Sequence, residues 1–214
     1  MKINSLKPLW ITLIVVVSLI LLAVAVGVLN ATVGNGEWQI GWQFYRYEAE
    51  DPNIGGGTVY STEIKSLDID WIRGDVEVVI SEDDRYLSIT ENSEDELAES
   101  AQLRWWVDAD GTLMVRSRDS GGYLASSMPK KKLTVRVPKD MMLSLSQAEI
   151  SAPLGNVQLQ LTEDMHFTVL FDSQSGQLLS DFSLRESNGE HSYGDGTMQI
   201  NVETKKGSLF LKQS

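Results

Sequence analysis

Gly155-Asn156-Val157-Gln158-Leu159-Gln160-Leu161 opens on a glycine and then alternates apolar with polar side chains. Strict period two puts Val157, Leu159 and Leu161 on one face of a strand, with Gln158 and Gln160 on the other. The same signature, a glycine with apolar residues two and four positions on, returns at Gly74 (Val76, Val78), Gly111 (Leu113, Val115), Gly196 (Met198, Ile200) and Gly207 (Leu209, Leu211). Gly176 with Leu178 is a degraded sixth copy. Glycine before a strand permits the positive backbone angle of a tight corner, so the repeating unit reads as a corner that feeds a one-sided strand. From Gly155 to Gly176 to Gly196 the steps are 21 and 20 residues, a length that suits one coil of a β-solenoid. An antiparallel β-sandwich with hairpin turns at Asp110-Gly111, Asn188-Gly189 and Asp195-Gly196 accounts for the same periodicity.

Outward from this stretch the alternation continues. Leu67, Ile69 and Trp71, then Leu133, Val135 and Val137, each skip a polar neighbour, and Val76–Ile80, Leu103–Val107, Leu143–Leu145 and Phe167–Phe171 are looser versions. The one helical candidate is Ser93–Gln102, where Ser93 and Glu96 have capping-box spacing. The fold class is all-β.

The first thirty residues carry an address. Leu9–Leu29 is a run of 21 uncharged residues that would reach about 31 Å as a helix, enough to cross a bilayer. Lys2 and Lys7 precede it and Arg46 is the next basic residue, which orients the N-terminus to the cytoplasm. The expected organisation is a cytoplasmic tail over 1–8, a transmembrane helix over 9–29, a juxtamembrane stalk over 30–63 and an extracytoplasmic β domain over 64–214. Signal-peptide cleavage near Ala23-Val24-Ala25 is the competing reading. Within the stalk, Gly55-Gly56-Gly57 reads as a flexible linker, and Trp38, Trp42, Phe44, Tyr45 and Tyr47 read as an interfacial aromatic belt or a docking surface.

Of 18 basic residues only Lys2 and Lys7 precede the exported part, leaving 16 against all 30 acidic residues, a formal −14. That charge excludes a nucleic-acid footprint. Absence of cysteine excludes disulfides, thiolate metal sites and cysteine nucleophiles.

Three segments in order, Ile64–Ile80 (IKSLDIDWIRGDVEVVI), Leu133–Leu145 (LTVRVPKDMMLSL) and Gly196–Leu211 (GTMQINVETKKGSLFL), resemble a bacterial adhesin-like family of unknown function that includes LiaG-like envelope proteins. The resemblance spans roughly residues 60 to 214. It implies a right-handed β-solenoid-like core that follows a single membrane span, and it brings no activity, cofactor or active-site residues. Leu179 and Ser180, which break the alternation in Gln177–Asp181, depart from the pattern.

Motifs with chemical potential read more simply as structure. Ser127-Met128-Pro129-Lys130 has the serine-to-lysine spacing of penicillin-recognising enzymes, but Pro129 and the β pattern that follows argue for a loop entering a strand. Asp108-Ala109-Asp110-Gly111 lacks the flanking ligands of an EF-hand loop and reads as a hairpin turn. Glu82-Asp83-Asp84 and Glu94-Asp95-Glu96 read as solvated loops with the ligand type for weak Ca2+ binding. His166 and His191 have no pairing in sequence, and Lys130-Lys131-Lys132 reads as a solvated strand entrance. No catalytic, cofactor or metal residues are assigned. The expected function is a non-enzymatic, membrane-anchored envelope module that offers a surface to a protein or a cell-wall polymer. The alternative is a carbohydrate-active β-helix enzyme using paired carboxylates, with Asp68 and Asp70 as candidates.

Overall fold

The computed structural model describes residues 15–18, 21, 42–49, 51–60, 64–81, 85–124 and 127–214. The tail, nearly all of the expected membrane span and Glu82–Asp84 lie outside them. Residues 15–18 and 21 are helical, and no described helix is long and apolar enough to cross a membrane.

In chain order the strands are β1 (Trp42–Tyr45), β2 (Asn53–Ile54), β3 (Gly57–Val59), β4 (Ser66–Asp70), β5 (Val76–Ser81) and β6 (Leu87–Ser93). There follow β7 (Arg104–Val107), β8 (Thr112–Arg116), β9 (Gly121–Leu124), β10 (Lys131–Pro138), β11 (Gln147–Ser151) and β12 (Val157–Leu161). The last are β13 (Phe167–Ser173), β14 (Leu178–Ser180), β15 (Arg185–Ser187), β16 (Glu190–Tyr193), β17 (Met198–Thr204) and β18 (Leu209–Gln213). The chain forms two compact units, one within Met1–Phe44 and Gly122–Ser127, the other comprising Tyr45–Gly121 and Met128–Ser214. In the smaller, β1 and β9 pair as a ribbon.

The larger unit is a stack of coils. A nine-stranded sheet runs β15-β16-β13-β17-β11-β4-β8-β7-β2 and a seven-stranded sheet runs β14-β18-β12-β5-β10-β6-β3. In each sheet five consecutive strands are parallel, β13-β17-β11-β4-β8 in the first and β14-β18-β12-β5-β10 in the second. Antiparallel partners appear only at the ends, which removes the sandwich alternative and leaves the β-solenoid-like one. Each of four coils is one strand of the first sheet, a corner and one strand of the second: β13-β14, β17-β18, β11-β12 and β4-β5, in that spatial order. The fifth, β8 with β10, is interrupted by residues 117–130.

Apolar residues in equivalent positions stack into continuous rows, because in-register parallel strands place like positions side by side. Leu178, Leu209, Val157, Val76 and Leu133 form one such row, and Val169, Ile200, Ala148, Leu67 and Leu113 another. The rows fill a single buried core between the sheets, with Trp71 and Phe167 wholly enclosed.

The corners stack too, for a reason other than the one the glycine signature suggests. Among the four coil corners only Gly74 has a positive φ, at +105°. At Gly155 a Cβ would fall 1.8 Å from the Gly74 carbonyl oxygen, at Gly207 it would fall 1.7 Å from that of Gly155, and at Gly176 1.7 Å from that of Gly207. Glycine is required there by close approach between coils. The residue after each glycine forms a second column. Asp75 Oδ1 accepts from the Asn156 N–H (2.9 Å), Asn156 Oδ1 from the Ser208 N–H (3.0 Å) and Ser208 Oγ from the Gln177 N–H (3.1 Å).

Four local expectations are corrected. Ser93–Gln102 holds no α-helix: β6 runs through Ser93, and only Glu99–Ala101 turns, as a 3-10 helix. The short α-helix is Lys139–Ser144, so Leu143 belongs to a helix and not to a strand. Asp195-Gly196 links β16 to β17, which do not pair with each other, whereas Asp110-Gly111 and Asn188-Gly189 do close hairpins. The triplet Gly55–Gly57 is no linker: β2 and β3 are edge strands, Trp105 Nε1 donates to the Gly55 carbonyl (3.1 Å), and a Cβ on Gly57 would meet the Trp105 ring at 2.7 Å.

Candidate functional site

The outward face of the nine-stranded sheet gathers charge, because alternate residues that avoid the core must face solvent. Asp172, Glu203, Ser151, Asp70 and Arg116 are successive partners across five parallel strands. Leu170, Asn201, Glu149, Asp68 and Met114 form the next row. All of these but Met114 line a shallow recess of about 510 Å³.

Arg116 organises one end. Its guanidinium donates to both carboxylate oxygens of Asp68 (2.8 and 3.1 Å) and to the Asp68 carbonyl (3.0 Å). It also lies 5.5 Å from the centre of the Trp106 ring, and Trp106 stacks on Tyr47 at 5.2 Å. Such a bidentate, ring-backed guanidinium holds Asp68 in one orientation. Asp70 differs. Burial raises its carboxyl above the ordinary range, the charges of Asp68 and Glu203 add to that, and Arg116 opposes it. Tyr45 closes the edge: its hydroxyl donates to the Asp70 carbonyl (3.1 Å) and accepts from the Ser117 N–H (3.3 Å), and burial pushes its phenol well above the usual value.

The recess therefore contains the two carboxylates singled out from sequence, Asp68 and Asp70. It adds Arg116, Glu149, Asp172 and Glu203, which sequence reading missed because they lie on strands far apart in the chain. Their only sequence signal is the outward phase of each alternating strand.

A second recess, of about 250 Å³, is lined by Leu143, Leu145, Asp164, Met165, His166, Asp195, Thr197 and Met198. His166 Nδ1 sits 2.6 Å from Asp195 Oδ1. Thr197 donates its hydroxyl to the His166 carbonyl (3.1 Å). His191 is in β16, opposite Val169 and Glu186. Ser127 donates to the Leu124 carbonyl (2.9 Å), and irregular chain, not a helix, leads from it to β10. Asp108 Oδ1 accepts from the Asp110 and Thr112 N–H groups (3.0 and 2.8 Å), as a hairpin turn requires. Among the described residues no group of three or more histidine and acidic side chains could hold a metal ion.

The lysine triplet is corrected. Lys131 is 1% exposed, and its ammonium donates to Glu91 Oε2 (2.9 Å), the Ala101 carbonyl (2.7 Å) and the Ser117 carbonyl. Three acceptors saturate three N–H bonds, and the Trp71 ring lies 4.7 Å away. Burial lowers the Lys131 amine from its ordinary value. A Cβ on Gly74 would strike the Lys131 carbonyl oxygen at 1.9 Å, so this residue ends the corner column.

Residues 64–213 match the family model described as Toastrack DUF4097. A solved structure titled a "putative cell adhesion protein", from Clostridium sporogenes, aligns over 77% of this chain and 100% of its own, at 9% identity and a TM-score of 0.43. No curated protein matches the chain.

Proposed function

The chain belongs to the Toastrack DUF4097 family, and from that premise we propose that it is a membrane-anchored, non-enzymatic module of the bacterial envelope, held by residues 9–29 with its β domain outside the cell. The presented surface is the outer face of the nine-stranded sheet, and the partner is an envelope protein or a cell-wall polymer. The observation that carries this reading is the pair of in-register rows that bring Asp172, Glu203 and Asp70, and beside them Glu149 and Asp68, onto one face of four stacked coils. A repeated row on a rigid sheet suits an extended, repeating or basic partner better than it suits one reacting bond. Proximity labelling from the exported terminus in native cells should recover envelope components, and Glu149→Lys with Glu203→Lys should deplete them. Recovery unchanged by the charge reversal would remove this face from the reading.

The carbohydrate-active alternative has one observation in its favour. Asp70 and Asp68 are neighbours whose surroundings differ, one raised by burial and the other ion-paired, the division of labour that acid and base pairs use. Release of sugars from envelope glycans that is lost in Asp70→Asn would establish it. Our reading expects no turnover in either form.

A further inference from the structure

The aromatic cluster of the juxtamembrane segment separates into two destinations. Tyr45 and Tyr47 are used internally, one buried and the other stacked on Trp106. Trp42 and Phe44 are each 73% exposed. Two residues apart on β1, they rise from one face of the ribbon. Beneath them β9 supplies Gly122, whose missing Cβ would lie 3.4 Å from Trp42 Cε3 and 3.6 Å from Phe44 Cε1. The two rings are thus laid side by side over bare backbone. Neither Trp42–Tyr45 nor Gly121–Leu124 contains a charge, and Leu124 adds an exposed apolar side chain.

We propose that this face of the ribbon rests in the headgroup layer of the membrane that residues 9–29 cross, with Trp42 and Phe44 inserted as its anchors. The proposal builds on the anchor reading above. The occupant follows from chain length: Asn30–Gly41 is all that separates the apolar run from Trp42, and twelve residues reach at most about 43 Å when fully extended. The ribbon is therefore held within reach of the bilayer surface at an effective concentration no soluble partner matches. Its chemistry fits that layer, since an indole and a phenyl ring carried on strands that hold no charged residue gain most at the boundary between headgroups and acyl chains. The formal −14 of the exported part opposes close approach of the remainder to anionic lipid, which confines contact to the uncharged ribbon.

Because the chain lacks cysteine, a single fluorophore can be placed by Leu124→Cys beside the rings, or by Glu186→Cys on β15 as a reference. The full-length protein is reconstituted into phosphatidylcholine vesicles, with or without brominated acyl chains, and floated on a density gradient. The expected result is that the chain floats, that brominated lipid quenches the label at Leu124 by about twofold, and that the reference label is unaffected. Trp42→Ala with Phe44→Ala, both at exposed positions, should still float and lose the quenching. A floating chain whose Leu124 label is not quenched overturns this inference and leaves the anchor intact. A chain that does not float overturns the anchor and the inference together. Cross-linking between two Leu124→Cys chains, with no quenching, assigns the face to a second copy and also overturns it.

Discussion

Gly155→Ala adds one methyl group at a position that is not in the left-handed region of backbone space, so any large cost must come from contact between coils. The added carbon would lie 1.8 Å from the Gly74 oxygen and 2.4 Å from the Gly74 carbonyl carbon. An ordinary carbon-to-oxygen contact needs about 3.4 Å, a shortfall of about 1.6 Å. No side chain can rotate away, because the obstruction is backbone. It is held by Gly74 N–H to the Leu154 carbonyl (3.0 Å) and Val76 N–H to the Asn156 carbonyl (2.9 Å). Separating the coils strains or breaks both, at about 1 kcal/mol each, on top of about 1–3 kcal/mol for overpacking, so the loss should be about 3–5 kcal/mol. Gly189→Ala is the matched control. It has φ +82° and nothing within 4 Å of its would-be Cβ, so it carries the conformational cost alone, about 1–2 kcal/mol. Urea unfolding of residues 42–214, followed through the buried Trp71, should show a much lower midpoint for Gly155→Ala at unchanged slope. A loss no larger than that of Gly189→Ala would refute the close-packed corner column.

Lys131→Met should cost about 3–5 kcal/mol by stranding Glu91 and two carbonyls, while Lys132→Met, at an exposed pair with Glu77, should stay within about 0.5 kcal/mol; the same urea titration compares them. Asp70→Asn should stabilise the protein at neutral pH. The native carboxyl is raised, so it holds its proton more tightly than the unfolded chain, whose ordinary value is 3.8, and stability falls as pH climbs from there through the raised native value. The asparagine variant escapes that fall, and its advantage should vanish as the pH is lowered to 3.8; melting curves against pH test the sign. Leu209→Ala should cost about 2–5 kcal/mol as a buried row member. Gln160→Ala should cost about 1 kcal/mol although it faces outward, because its Oε1 accepts from the Ile80 N–H (3.1 Å); calorimetry of both would expose any error in the inward and outward assignment.

The strands were legible because their alternation is a local property: Val157, Leu159 and Leu161 announce a buried face without reference to anything distant. The corner glycines were legible as a pattern and misread as to cause, since the carbonyl that forbids a side chain at Gly155 belongs to a residue 81 positions away in the chain. The phase of β10 was there to be read, for Leu133, Val135 and Val137 point inward and the same alternation carries Lys131 with them. The charged triplet hid it, because lysine is rarely buried unless paired and its partner Glu91 is 40 positions earlier. Asp68 and Asp70 were visible as neighbours on one strand. Their companions Glu149, Asp172 and Glu203 become neighbours only through the order of the coils, which spacings of 21 and 20 residues do not encode.

That order carries a consequence for how the molecule is made. The coil β17-β18 comes after every other coil in the chain, yet it sits between β13-β14 and β11-β12. In an ordinary solenoid each new repeat docks on the one before, and loss of the last repeat shortens the stack. Here β13-β14 emerges with no finished surface to dock on and must wait for the final residues, which enter like a keystone. Loop closure is therefore spent before it is rewarded, so folding should be slow for the size of the domain and should complete only once residues 198–213 have cleared the ribosome and any export channel. Truncation before Met198 would not trim the protein; it would open it in the middle.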